Sequence, residues 1–175
     1  MPVQVLLIGG DMNKSRGITL VELLIVITIT GILSTSLAYA YSGWIGRYKI
    51  EKQTKDIYAD LMAARTMAMT RNRVYFVDFT AAKTYRLVED TNDNSAMNAG
   101  AGDTVLPSFP KTVEHENIAN GSGIPVTFKF SRTGTVSPLR TIRIVHATDP
   151  DYDCITISST RINMGQMSGD SCVQK

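Results

Sequence analysis

The sequence of 175 residues is poor in the side chains that metal and redox sites need. It contains two cysteines and two histidines. That is too few for a zinc module with four cysteines, and their spacing does not fit a Cys₂His₂ finger. A GxSxG elbow and a phosphate-binding Walker loop are absent as well. The net charge of +2 is too small to indicate a nucleic-acid-binding protein by itself. We therefore expect neither an enzyme nor a bound cofactor.

Charge is also missing from one long segment. No charged side chain occurs in the 24 residues from Leu23 to Gly46. As a helix this segment would be roughly 36 Å long, more than the roughly 30 Å hydrocarbon core of a membrane. Basic residues precede it, and aromatic residues suited to a membrane surface lie near its end: Lys14 and Arg16, then Tyr39, Tyr41 and Trp44. The positive-inside rule places residues 1–17 in the cytoplasm and the chain beyond the helix outside it.

A secretory signal and a simple membrane anchor are the two ordinary explanations of such a segment. A secretory signal has a shorter apolar core, of about 7–15 residues, followed by a cleavage site with small residues. A simple anchor fits the hydropathy, but it does not explain Glu22. This carboxylate lies at the edge of an apolar segment that contains no basic residue.

The residues around Glu22 carry a family signature. Residues 14–22, KSRGITLVE, resemble the start of a type IV prepilin: a basic leader, Gly, an apolar residue, Thr-Leu, then Glu and an apolar helix. The resemblance implies that prepilin peptidase cuts after Gly17 and that the new amino terminus, Ile18, is N-methylated. Many family members have Phe at that position, so Ile18 is a departure. It also implies an assembly role for Glu22, which would neutralise the amino terminus of a neighbouring subunit.

These features divide the chain into three parts. Residues 1–17 are predicted to be a cytoplasmic leader, of which 1–11 reflect an upstream start codon, since the MNKSRG that begins at Met12 is more similar to a prepilin leader. Residues 18–46 are predicted to be a transmembrane helix that also forms the filament core. Residues 47–175 are predicted to be a periplasmic globular domain that includes the second half of the helix.

The globular part is predicted to be α+β, with the long N-terminal helix packed on an antiparallel sheet. No proline occurs between Ile18 and Arg73, so one helix from roughly Ile18 to Thr70 is expected. One face of its second half is apolar: Ile50, Ile57, Leu61, Ala64 and Ala68. A period of two then predicts about five strands, within 74–79, 84–88, 126–130, 140–145 and 154–158.

Three looser motifs in this part resemble minor pilins and pseudopilins of the GspH/FimT type. They are the helix-to-strand junction at 63–72, the hairpin FKFSRTGTV at 128–136, and Ile155–Ser158 followed by a polar turn and Cys172. Cys154 and Cys172 are the only cysteines, and both are predicted to lie outside the cytoplasm, so we expect a disulfide between them. Its loop of about 17 residues would add about 3 kcal/mol of stability. The alternative, a redox-active pair, needs closer spacing.

One loop has a weak resemblance to a calcium site. Asp90, Asn92 and Asn94 match the first three ligand positions of a calcium-binding loop. However, Ser95 replaces the turn glycine, and Ala101 stands where the bidentate glutamate belongs. The preferred interpretation is therefore a polar hairpin loop without a metal.

The leading functional prediction is a minor pilin of a type IV pilus, active in filament initiation or at the tip. The alternative with a similar mechanism is a type II secretion pseudopilin. Either would bind other pilin subunits, an inner-membrane assembly platform and prepilin peptidase. It would begin as a single-pass protein of the bacterial inner membrane and end in a filament.

A third hypothesis is a pilin that binds DNA during uptake. Its basis is the set of basic residues in the last third of the chain: Arg132, Arg140, Arg143, Arg161 and Lys175. Acidic residues in the same stretch offset that charge, and we expect them to be solvated: Asp149, Asp151, Asp153 and Asp170.

Overall fold

The structure, a computed structural model, describes residues 17–119 and 123–175, without the side chains of residues 38–40 and 42. Of the predicted leader, only Gly17 lies within the described residues. The chain divides into two units, residues 1–41 and 42–175. The first contains the start of a long helix, and the second contains the end of that helix and all the strands.

Helix α1 runs from Leu20 to Arg71 and has 52 residues. It ends where Asn72 adopts a left-handed backbone with φ of 52°. The N–H of Arg73 then donates to the carbonyl of Ala68 at 3.2 Å, which is the closing hydrogen bond of a Schellman motif. The predicted helix, Ile18 to Thr70, agrees with these bounds within two residues.

Two antiparallel sheets follow the helix, not the single sheet that the sequence predicts. The first has the order β3-β2-β1-β6-β7, with β4 also paired to β2. Its strands are β1 (Tyr75–Ala81), β2 (Thr84–Glu89), β3 (Thr104–Val105), β4 (Lys111–Thr112), β6 (Val126–Phe130) and β7 (Val136–Ser137). The second has the order β11-β10-β9-β8-β5. Its strands are β5 (Asn117–Ala119), β8 (Arg140–Ile144), β9 (Cys154–Ile157), β10 (Ile162–Ser168) and β11 (Ser171–Gln174).

The five predicted strands correspond to β1, β2, β6, β8 and β9. The remaining strands escape detection because most are two to four residues long. The exception is β10, whose sequence INMGQMS has no strict alternation of apolar and polar residues.

The apolar face of α1 packs against both sheets in one core. The helix residues predicted for this face are each at most 1% exposed: Ile50, Ile57, Leu61, Ala64 and Ala68. They share a single apolar cluster with inward-facing residues of both sheets, among them Tyr75, Phe128, Ile142 and Ile155. The predicted α+β class, with the helix packed on antiparallel strands, is thus confirmed, although the strands form two sheets.

A second, small apolar cluster lies on the opposite face of the first sheet. It consists of Val74, Phe76 and Val88, and the loop of residues 90–103 covers it with Met97 and Ala99. Phe76 alternates with the core residues of β1, and this explains why its side chain points away from the helix.

A polar contact at the edge of the core fixes the helix to β2 and β4. The Tyr85 hydroxyl donates to Asp60 Oδ2 at 2.6 Å, and Lys111 Nζ donates to the same oxygen at 2.6 Å. Burial raises the pKa of the Tyr85 phenol, and the hydrogen bond to the Asp60 carboxylate raises it further. The phenol is therefore held in its neutral, donating form.

Candidate functional site

The predicted cleavage bond lies in an exposed segment before the helix. Gly17 and Ile18 precede α1, which starts at Leu20. Ile18 is 73% exposed, and a Cβ placed on Gly17 would have no neighbouring atom within 4 Å. A peptidase therefore meets no steric obstacle from the described chain at this bond.

Thr19 caps the start of the helix and sets the position of Glu22. The Thr19 hydroxyl accepts the backbone N–H of Glu22 at 3.2 Å, and the Thr19 carbonyl accepts the N–H of Leu23 at 3.1 Å. Thr19-Leu20-Val21-Glu22 has the spacing of a capping box, which satisfies backbone donors at a helix start. Glu22 thus lies in the first turn, where the helix dipole favours a negative charge.

No partner for the Glu22 carboxylate occurs in the part of the chain that the structure describes. No ion pair among residues 17–119 and 123–175 involves it, and the hydrogen bond of Glu22 to Thr19 uses only the backbone N–H. The side chain is exposed at the start of an apolar segment. This arrangement presents one negative charge at the end of a hydrophobic surface.

The helix after Glu22 presents an apolar surface. Residues Leu20–Leu37 are long and apolar enough to cross a membrane, and none of them is buried. The hydroxyls in this segment donate to backbone carbonyls three or four residues earlier: those of Thr28, Thr30, Ser34, Thr35 and Ser36. Because these polar groups are satisfied within the helix, they do not oppose its contact with lipid or with another apolar helix.

Cys154 and Cys172 form a disulfide that spans a strand. Cys154 lies on β9 and Cys172 on β11, and β10 runs between these strands. The bond passes over Gly165, which is the register partner of Cys154. A Cβ on Gly165 would lie 3.1 Å from the Cys172 sulfur and 2.1 Å from the Val173 carbonyl oxygen. The close approach of β11 to β10 therefore requires glycine at position 165.

Asp153 is not solvated, contrary to the expectation from the sequence. It is 3% exposed, its Oδ2 lies 2.8 Å from His146 Nε2, and its Oδ1 accepts the backbone N–H of Met167 at 2.7 Å. The carboxylate therefore joins the end of β8 to β10 beside the disulfide. The sequence signal for this role is the position of Asp153 directly before Cys154, for which a disulfide is expected.

Two of the basic residues considered for DNA binding form ion pairs with carboxylates. Arg132 forms an ion pair with Asp93, and Lys175 forms one with Asp151 at 2.8 Å. The hydrogen bond from Lys175 lowers the pKa of the Asp151 carboxyl. These carboxylates offset the charge that phosphate contacts would need, so no specific observation favours a DNA-binding surface.

The side-chain amide oxygens of the suspected calcium loop accept hydrogen bonds from the backbone of the same loop. Asn92 Oδ1 accepts the N–H of Asn94 at 3.1 Å, and Asn94 Oδ1 accepts the N–H of Ala96 at 2.8 Å. Such hydrogen bonds are typical of Asx turns, and they direct the amide oxygens to the backbone. Among the described residues, no group of three or more His, Cys, Asp or Glu side chains is placed to hold a metal ion.

Comparisons with known proteins match both parts of the chain. The family model described as type II transport protein GspH matches residues 53–161. The model of the prokaryotic N-terminal methylation motif matches residues 12–38, which include the Gly17–Ile18 bond and Glu22. Both matches agree with the resemblance to GspH/FimT-type proteins that the sequence predicts. No curated protein sequence matches the chain.

Two solved structures of one protein share the fold. They are structures of the minor pseudopilin EpsH from the type II secretion system of Vibrio cholerae, with TM-scores of 0.54 and 0.53. Each is 11% identical to the chain. The first covers 71% of this chain and 99% of its own, the second 70% and 99%. At this identity the likeness concerns the fold alone.

Proposed function

The chain belongs to the GspH family of type II transport proteins, and we propose that it is a minor pilin-like subunit of a type II secretion filament. The sequence alone favours a minor pilin of a type IV pilus, but the family match supports the secretion alternative. One observation carries the proposal. Glu22 is exposed in the first turn of an apolar helix, directly after the Gly17–Ile18 bond, in a chain with a pseudopilin-like fold.

Processing by prepilin peptidase would create the group that Glu22 needs. Cleavage after Gly17 makes Ile18 the first residue, with an amino group four positions from Glu22. The match to the N-terminal methylation motif supports N-methylation of this amine. The exposure of Ile18 and the open space around Gly17 are consistent with access by the peptidase.

Pairing between Glu22 and the amino terminus of a neighbouring subunit would drive assembly. A carboxylate or an ammonium group is costly in an apolar environment, and pairing offsets the cost of both. Two unit charges about 4 Å apart attract by about 4 kcal/mol at an effective dielectric constant near 20. Since no described side chain of the same molecule pairs with Glu22, the carboxylate remains available to a neighbour.

The apolar helix would first anchor the subunit in the inner membrane and then pack in the filament core. Its exposed small residues Gly31, Ser34 and Ser36 allow helices to approach closely. The globular unit would lie in the periplasm, an oxidising compartment in which the disulfide of Cys154 and Cys172 persists. The partners are other pilin-like subunits and an inner-membrane assembly platform.

Substitution of Glu22 tests the assembly mechanism. Glu22→Ala and Glu22→Gln subunits should insert into the membrane and lose their leader, but they should be absent from filaments released from cells whose outer membrane has been removed. The matched control is Glu116→Ala, which removes an exposed carboxylate from the globular unit. Incorporation of Glu22→Gln at the level of the control would contradict the pairing.

Deletion of the gene distinguishes a type II secretion filament from a type IV pilus. Loss of protein secretion across the outer membrane with intact surface pili supports the secretion filament. Loss of pili with normal secretion would return the assignment to a type IV pilus minor pilin.

A further inference from the structure

Two buried carboxylates beside β2 and β3 form no ion pair with any residue that the structure describes. Asp90 is 0% exposed and Asp103 is 7% exposed. The Oδ1 atom of each is buried and has no hydrogen-bond partner among residues 17–119 and 123–175. A buried carboxylate oxygen without a donor or cation is costly, so each of these atoms needs an explanation.

The two carboxylates directly follow β2 and directly precede β3, which are paired with each other. In the antiparallel pair of β2 and β3, Glu89 is the partner of Thr104. Continued by one position beyond the paired residues, this register would put Asp90 opposite Asp103, and the hydrogen bond from the Thr91 hydroxyl to the Gly102 carbonyl shows that the two segments stay adjacent there. Residues at opposite positions point to the same face with Cβ atoms about 4.5–5.5 Å apart, and like charges there are destabilising.

The face they share is the one with the small apolar cluster. Asp90 is two residues from Val88, and Asp103 is two residues from Val105, so by alternation they lie on the face of these valines. Val88 is buried in the cluster, and Val105 packs against it. An apolar neighbour cannot neutralise a carboxylate, and it keeps water away from it.

The loop of residues 90–103 folds back over both carboxylates with its backbone. Asp90 Oδ2 accepts the N–H of Ser95 at 2.8 Å, and Asp103 Oδ2 accepts the N–H of Asn98 at 2.6 Å. The Oδ2 atom of each carboxylate is thus hydrogen-bonded to the backbone of the loop. Oδ1 of each carboxylate is buried and has no hydrogen-bond partner among the described residues.

The basic groups near the loop contact other atoms. Arg73 donates to the backbone carbonyls of Asp90 and Thr91. Lys129 donates to the Ser95 carbonyl, and Arg132 donates to the Asp93 carboxylate. Arg73 also lies 3.6 Å from Glu89, which alternates to the other face of the strand. None of these cations pairs with either Oδ1 atom.

We propose that Asp90 and Asp103 together bind one divalent cation of the calcium type, which holds the loop of residues 90–103 against the sheet. Two carboxylates balance the charge of one divalent ion, and Ca²⁺ prefers oxygen ligands. Backbone carbonyls of the loop and water would complete its six to eight ligands. Asn92 and Asn94, whose oxygens cap the loop backbone, are not among the ligands. The proposal is independent of the secretion function.

Titration of the full chain tests the site. Full-length protein in detergent, first treated with a chelator and then dialysed, is titrated with CaCl₂ by calorimetry at neutral pH. We expect one ion per chain with a dissociation constant of about 1 mM or tighter. Calcium should also raise the midpoint of thermal unfolding. A wild-type protein that binds no Ca²⁺ and shows no shift of its midpoint overturns the proposal.

Three variants separate this site from general surface charge. Asp90→Asn and Asp103→Asn each remove one of the two charged ligands and should weaken calcium binding about tenfold or more. Asp93→Asn is the matched control, because Asp93 belongs to the same loop but its side chain is 60% exposed. It should bind calcium as the wild type does. Equal loss in all three variants, or undiminished binding by Asp103→Asn, would refute the site.

Discussion

Removal of the disulfide is the perturbation whose size follows most directly from the structure. The bond joins residues 18 positions apart and ties the edge strand β11 to β9 across β10. Closing a loop of this length restricts the unfolded chain by about 3 kcal/mol in the chain-entropy model. Among the described strands, β11 pairs with β10 alone, and it is largely exposed, so little else compensates for the loss.

The double variant Cys154→Ala/Cys172→Ala should therefore lose about 3 kcal/mol of unfolding free energy. For a protein of this size, that corresponds to a fall of about 6–12 °C in the unfolding midpoint. The assay is thermal unfolding of the detergent-solubilised chain followed by near-ultraviolet circular dichroism, which reports the packing of tyrosines in the globular unit. Amide hydrogen exchange in Ser171–Gln174 should become faster as well.

Two controls distinguish the cross-link from the side chains. Wild-type protein in excess reductant should unfold at the temperature of the double variant. Ser171→Ala, an exposed substitution in the same strand, should leave the midpoint unchanged. The reasoning is refuted if the double variant unfolds within about 2 °C of the wild type, or if reductant has no effect on the wild type.

Three further predictions concern the fold around the site. Gly165→Ala places a Cβ 2.1 Å from the Val173 carbonyl oxygen and should cost at least about 1–3 kcal/mol in urea unfolding; a neutral result would contradict the close approach of β11. Asn72→Val should destabilise the helix end by about 1–2 kcal/mol because φ is 52°, whereas Asn72→Gly should be neutral, and equal midpoints for both would contradict the left-handed cap. The raised pKa of Tyr85 means that the folded state keeps the phenol proton when the unfolded state, with a pKa near 10.0, loses it. Stability from Tyr85 is thus fully present below pH 10.0 and is lost as pH rises further. Tyr85→Phe should flatten the alkaline decline in unfolding free energy, and an unchanged slope would speak against the buried phenol.

The N-terminal motif could be predicted from the sequence because its information is contiguous. The basic leader, Gly17, Thr19 and Glu22 lie within nine residues, and the apolar helix follows immediately. The predicted helix and the buried face of its second half agree with the structure, since a period of 3.6 residues is local as well. The family resemblance depended on the same motif and on looser ones in the globular part.

The arrangement of the strands could not be predicted in the same way. Alternation of apolar and polar residues identifies a strand but does not show which other strand it pairs with, so the division into two sheets was missed. β10 was missed for a tertiary reason: Gly165 interrupts its pattern because the disulfide and Val173 leave no room for a side chain. Asp153 was expected to be solvated because its burial depends on strands that are distant in the sequence.

The sequence by itself determined the membrane-length apolar helix, the Gly17–Ile18 motif with Glu22, and the α+β class. These follow from short-range pattern and composition. Only the tertiary structure decided that Asp90 and Asp103 are buried beside the paired strands β2 and β3, and that the disulfide crosses β10 over a glycine. Both depend on which strands pair and in which register, and that is settled by the packing of the whole core, not by any local segment.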